Sequence, residues 1–202
     1  MTRPRSFARR TVVATALLCA PLLVPAQGGP GMPGQPGNRL VNLVISGGMT
    51  VPTGEFKTLH DNGFHIDGSL IFNIPGLPVA FRPELSLTSF RFKQSVLPSP
   101  DPSEVNKTQA ISGLGNIEVP LSGGFYVLGG IGAMNLQTKL AQDTTSNPSA
   151  TNLFIDAGVG VRFAIRRVSG FFEARVGTAS YEKGKFGYSK AQFVPLTFGL
   201  VF

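Results

Sequence analysis

The stretch Val194-Pro-Leu-Thr-Phe-Gly-Leu-Val-Phe202 decides how the rest of the chain is read. Leu196, Phe198, Leu200 and Phe202 fall at every second position, so a β-strand places all four on one face. Chain termini are usually polar and frayed. A terminal strand with an apolar face needs a partner on each edge, or surroundings that accept apolar surface. The residues upstream predict both.

The chain has 202 residues, enough for one domain with short extras. Only 14% of them are charged, against about 25% in an ordinary soluble domain. Past the N-terminus no run of about 18 apolar residues occurs, so no transmembrane helix is expected. Low charge without a spanning helix points away from a water-soluble globule.

Residues 1–26 read as a secretory signal peptide: Arg3, Arg5, Arg9 and Arg10, then an apolar stretch from Thr11 to Val24, then Val24-Pro25-Ala26 as a cleavage site. Arg9-Arg10 opens no further twin-arginine pattern, so ordinary secretion is the expectation. Cys19, the single cysteine, lies inside this segment, and Leu18 before it argues against a lipoprotein. Cleavage removes the thiol, and with it disulfide and cysteine chemistry. Four arginines leave with the peptide, so the net charge of +7 falls to +3. No basic patch or aromatic RNA-binding motif remains, and no nucleic-acid partner is expected.

Residues 27–39, opening on QGGPGMPGQPGN, form a Gly/Pro-rich leader, and residues 40–202 form the fold. From Leu40 the pattern has period two. Val41, Leu43, Ile45, Met49 and Val51 share a face, as do Phe64, Ile66, Leu70 and Phe72, and then Val79, Phe81, Leu85 and Leu87. Residues 152–165 and 171–178 alternate likewise. Glycines in 108–119 and 124–137 leave those two strands without an assignable facing. Short turn-like joints (74–78, 120–123, 166–170) alternate with longer polar connections near 52–62, 92–107, 138–151 and 179–190. That order predicts an all-β fold, an eight-stranded antiparallel up-and-down transmembrane β-barrel, with the eighth strand closing on the first.

Alternation alone leaves the apolar face free to point inward, as in a soluble lipid-binding barrel, or outward to lipid. The charges favour outward. All seven lysines (Lys57, Lys93, Lys107, Lys139, Lys183, Lys185, Lys190) fall in or beside the long connections. The strand charges Asp67, Arg82, Glu84, Asp156, Arg162, Glu173 and Arg175 all oppose the apolar face. They make a nearly neutral set suited to an interior ion-pair network, because buried charge is tolerated when paired.

On these residues, the GGMTVPTGEF stretch (47–56) and the C-terminal PLTFGLVF, the chain resembles the small outer-membrane β-barrels of Gram-negative-type bacteria, the OmpA-transmembrane-like and OmpX-like group. The resemblance covers about residues 40–202. It implies an outer-membrane location, contact with outer-membrane lipid, and recognition by the barrel assembly machinery through Leu196, Phe198, Leu200 and Phe202. Two departures stand out. With no tryptophan and three tyrosines the aromatic girdle is thin, and no peptidoglycan-anchoring role is expected.

Catalytic signals are few. His65, Asp67 and Ser69 share a face of the second strand, but neighbours on that face are about 6.5–7 Å apart, which predicts a structural polar row rather than a hydrolase relay. GLG (113–115), GGIG (129–132) and GVG (158–160) lack the following helix that a dinucleotide loop needs. Gly184-Lys185 lacks the spacing of a phosphate-binding loop. No grouping has metal-ligand spacing, and no cofactor is expected. The expectation is a non-enzymatic barrel with a structural or surface-interaction role, its long connections available to a surface ligand. A narrow pore, a lipid-modifying enzyme using His65 or loop residues and a secreted soluble lipid binder are the alternatives.

Overall fold

The computed structural model describes residues 40–96, 106–139, 148–165 and 168–202. Residues 1–39, with the signal peptide and leader assigned from sequence, lie outside them. Eight antiparallel strands close into one barrel in chain order. They are β1 (Val41–Thr53), β2 (Gly63–Asn73), β3 (Ala80–Arg91), β4 (Lys107–Pro120), β5 (Phe125–Lys139), β6 (Ser149–Ile165), β7 (Val168–Ser180) and β8 (Lys190–Val201). Closure pairs β8 with β1, from Val44 opposite Val201 to Thr53 opposite Gln192. Phe202 itself is in the ladder, its N–H donating to the Leu43 carbonyl at 2.9 Å. The terminal strand therefore has a partner on each edge, and the sheet has no open edge to satisfy.

The joint expected at 166–170 is shorter than the sequence suggested. Ile165 lies opposite Val168, so β7 begins before Phe171 and the joint is confined to residues 166–167. At the opposite end two single-turn helices, α1 (Phe56–Leu59) and α2 (Lys183–Phe186), sit in the connections after β1 and β7.

The pleat sends even-numbered residues inward in β1 and in β3 to β6, and odd-numbered ones inward in β2, β7 and β8, and the burial is inverted relative to a soluble protein. Phe64 is 72% exposed, Leu85 70% and Leu153 64%, whereas Arg82 is 1% exposed and Glu173 4%. Three layers stack along the lumen. Val44, Ile71, Leu128, Phe171 and Val201 lie toward the short joints. Charged and polar side chains occupy the middle. Phe56, Phe90, Met134, Leu136, Phe154, Tyr188 and Phe193 fill the end toward the long connections.

Inward glycines make room for the largest interior groups. A Cβ on Gly160 would meet the Tyr126 ring, and one on Gly158 would meet Arg175 and the Ala174 carbonyl. The glycines of GVG (158–160) thus shape the lumen. The three tyrosines are also interior: Tyr126, Tyr181 and Tyr188 are all buried. The thin girdle expected from sequence accordingly contains no tyrosine, and the outward aromatics are phenylalanines such as Phe64, Phe125 and Phe172.

Candidate functional site

The middle layer is organised by two tripeptides. β3 carries Arg82-Pro-Glu84 and β7 carries Glu173-Ala-Arg175. The two strands stand four apart in an eight-stranded ring, with three strands between them on either side, so they face each other across the lumen and run in the same direction. At the lower level Arg82 therefore meets Glu173, and one pleat higher Glu84 meets Arg175. Arg82 Nη1 donates to Glu173 Oε2 at 2.9 Å. Arg175 grips Glu84 with both terminal nitrogens, Nη1 to Oε1 at 2.9 Å and Nη2 to Oε2 at 2.7 Å. Within each strand the opposite charges also touch, Arg82 Nη2 to Glu84 at 3.2 Å and Arg175 Nε to Glu173. The four side chains form a ring of alternating sign that bolts the barrel across its diameter.

Further groups add hydrogen bonds to the ring. Ser69 Oγ accepts from Arg82 Nε at 3.0 Å, and Tyr126 donates its hydroxyl to Glu173 at 2.7 Å. Asp156 accepts from Arg175 at 2.9 Å. Arg162 lies to one side, 2.6 Å from Glu118 and stacked over the Tyr126 ring at 4.7 Å. Glu118 and Tyr126 come from β4 and β5, the two strands whose facing glycine had hidden. Asp67 stands apart from the arginines: it is 3.5 Å from His65 Nε2 and accepts from Ser46 at 3.3 Å.

His65, Asp67 and Ser69 therefore do not form a relay. His65 is held between two threonine hydroxyls, Thr50 at 2.8 Å and Thr197 at 3.0 Å, while the Ser69 hydroxyl is engaged by Arg82. Above the bolt a cavity of about 30 Å³, lined by His65, Asp67, Thr88, Asp156, Arg175 and Thr197 among others, has room for little more than a water molecule. Among the described residues no group of three or more His, Cys, Asp or Glu side chains could hold a metal ion.

The end toward the long connections is closed by α1. Its Phe56 points into the lumen, stacked on His60 at 4.1 Å and edge-on to Phe90 at 4.9 Å and Tyr188 at 5.0 Å. Sequence reasoning did not separate these inward aromatics from the outward ones. Phe154 sits in the same pleat as Asp156, so its even position was the available signal. The connection is tied down by Glu55, which accepts from the Ser189 N–H at 2.8 Å and its hydroxyl at 2.9 Å. Those two bonds hold the Glu55 carboxyl below its ordinary range.

His60 is 1% exposed and sits in the connection, outside the strands. Its Nδ1–H donates to the Phe56 carbonyl at 3.2 Å, and Nε2 lies 2.8 Å from the Thr108 hydroxyl. A neutral ring fits this pair, with Thr108 donating. Burial pushes its pKa down from 6.5 to about 4. The unfolded chain then takes up the proton first, so this contribution to stability is complete above about pH 6.5. It is lost as pH falls toward 4, at up to about 1.4 kcal/mol per pH unit. Urea unfolding of the native protein and of His60→Phe at pH 7 and pH 4.5 measures it, and the variant is expected to lose less stability on acidification.

The orientation question is settled by the surface. Leu43, Ile45, Ile66, Leu85, Leu87, Ile111, Ile131, Leu153, Val159, Val176 and Phe198 are exposed around the whole circumference, while the charges line the lumen. A barrel carrying a lipid inside would need the reverse. The chain has the fold of an outer-membrane β-barrel. A bilayer is the solvent for such an outer face, and a closed barrel with its apolar face outward is the form in which strands cross a membrane.

The fold is shared with solved structures. The barrel is similar to Neisserial surface protein A (NspA), with a TM-score of 0.53 and 12% identity over 81% of this chain and 96% of that one. Weaker likenesses are to Ail, the attachment invasion locus protein of Yersinia pestis, in complex with the heparin analogue sucrose octasulfate (TM-score 0.47, 15% identity, 80% and 96% covered), and to a major outer membrane protein from Thermus thermophilus (TM-score 0.47, 13% identity, 81% and 99% covered). No protein-family model matches the sequence, and no curated protein gives a significant match.

Proposed function

We propose that this outer-membrane β-barrel is a non-enzymatic envelope protein with a side-chain-filled interior, acting through its outer rim rather than its lumen. The observation that carries this reading is the bolted centre: the ring of Arg82, Glu84, Glu173 and Arg175 spans the lumen, with Phe56, Phe90, Phe154 and Phe193 stacked at one end. With Asp67, Asp156 and Arg162 added, the strand charges serve as an interior polar network that fixes strand positions. Residues 1–26 export the chain and residues 27–39 lead into the barrel. Leu196, Phe198, Leu200 and Phe202 serve as the signal for the barrel assembly machinery, and the amount of barrel recovered in the membrane fraction after removal of Phe202 tests that role.

Lumen conductance separates filling from transport. Purified protein inserted into planar bilayers is expected to show no stable channel currents. Steady currents that change with Arg82→Ala or Arg175→Ala would assign the protein to small-solute transport instead.

A further inference from the structure

Three cations lie side by side on the outward face near the end of the barrel that carries the long connections. Arg91 of β3 is directly opposite Lys107 of β4, and Lys107 is directly opposite Lys139 of β5. All three occupy odd, outward positions on their strands. Like charges placed opposite each other across strands are unfavourable, and among the described residues no carboxylate lies within ion-pair distance of any of the three. The row has a cost that a bound anion would offset.

Its height on the barrel identifies the anion's source. One outward position below the cations comes the paired polar row Ser89, Gln109 and Gln137, and below that Leu87, Ile111 and Asn135. Arg91 is four residues beyond Leu87, roughly 13 Å along the strand, or about 10 Å along the membrane normal at the usual barrel tilt. On β3 and β4, aliphatic side chains, then an amide and a hydroxyl, then cations reproduce the order of acyl chain, glycerol or sugar, and phosphate. Beside the row is a groove of about 660 Å³ lined by Lys57, Lys93 and Arg91 above and by Phe64 on the lipid side, with Asp61 also at its wall. A soluble anion would gain nothing from Phe64, which is 72% exposed.

We propose that Arg91, Lys107 and Lys139, extended by Lys57 and Lys93 in the groove, form a lateral site for the phosphate headgroup of an outer-leaflet lipid. The inference deepens the rim-acting reading above and rests on it.

Native mass spectrometry of the purified protein titrated with dilauroyl phosphatidic acid tests it. Arg91→Gln/Lys107→Gln is compared with Lys183→Gln/Lys190→Gln, which removes equal charge beside β7 and β8. At about fivefold per lost cation near a lipid surface, the first variant is expected to bind the lipid about thirtyfold more weakly, and the control to match the native protein. Heat-modifiable gel migration of each variant reports whether the barrel is intact, so failure of the site and failure of the membrane reading are told apart. If the double variant does not fold, Lys139→Gln alone carries the test, with a severalfold loss expected. Equal affinities in all variants, or an equal loss in the control, would overturn the proposal.

Discussion

Replacing Arg175 by methionine is expected to destabilise the barrel by about 3–5 kcal/mol, because it leaves buried carboxylates without their counter-charge. Arg175 is 5% exposed and touches Glu84, Asp156 and Glu173. No other described arginine reaches Asp156, and Glu84 would keep only Arg82. The methionine fills most of the volume, so the loss reports charge rather than a cavity. Urea titrations in lipid vesicles, followed by the gel mobility of folded and unfolded forms, give the difference. Arg162→Met is a useful comparison, since Arg162 is only partly buried and pairs with Glu118 alone. Its cost should be clearly smaller. Equal costs for the two would mean that the ring is not the organising element of the lumen.

The second large effect concerns the outer face. Leu85 lies near the middle of β3 and is 70% exposed. On a soluble protein, Leu→Arg at such a position is close to neutral, because the guanidinium stays in water. In a bilayer the same change is expected to cost about 2–4 kcal/mol if the residue lies near the midplane. The folding free energy of Leu85→Arg in phosphatidylcholine vesicles, compared with the native protein, measures it. A cost near zero would remove Leu85 from the hydrocarbon region.

Much of this organisation was legible in the sequence, and the reasons for the exceptions are physical. Period-two alternation located β1, β2, β3, β6 and most of β7, since each pairs a continuous apolar face with a polar one. Lysines gathered in or beside the connections, with the strand charges opposite the apolar face, indicated that the apolar face points outward. The closure of β8 on β1 followed from the need to pair Leu196–Phe202 on both edges. In β4 and β5, glycines at 113, 115, 129, 130 and 132 erased the contrast between faces. Glu118, Tyr126, Met134 and Leu136 were therefore not assigned to the lumen.

A binary apolar-out rule also cannot anticipate an interior that changes character along its axis. Phe90, Phe154 and Phe193 point inward because the layer facing the long connections is packed with aromatic rings around Phe56. The ring of Arg82, Glu84, Glu173 and Arg175 was half visible: the charges were recognisable as interior. Its geometry required knowing that the Arg-x-Glu of β3 and the Glu-x-Arg of β7 stand four strands apart and run in the same direction.

The most direct test of the central claim, that this is a membrane barrel with its apolar face outward, is heat-modifiable migration of the full-length chain from fractionated cells of a Gram-negative host. The account predicts that the protein is recovered in the outer-membrane fraction and migrates faster unboiled than boiled. Recovery as a folded, soluble periplasmic protein with no lipid or detergent present would contradict it.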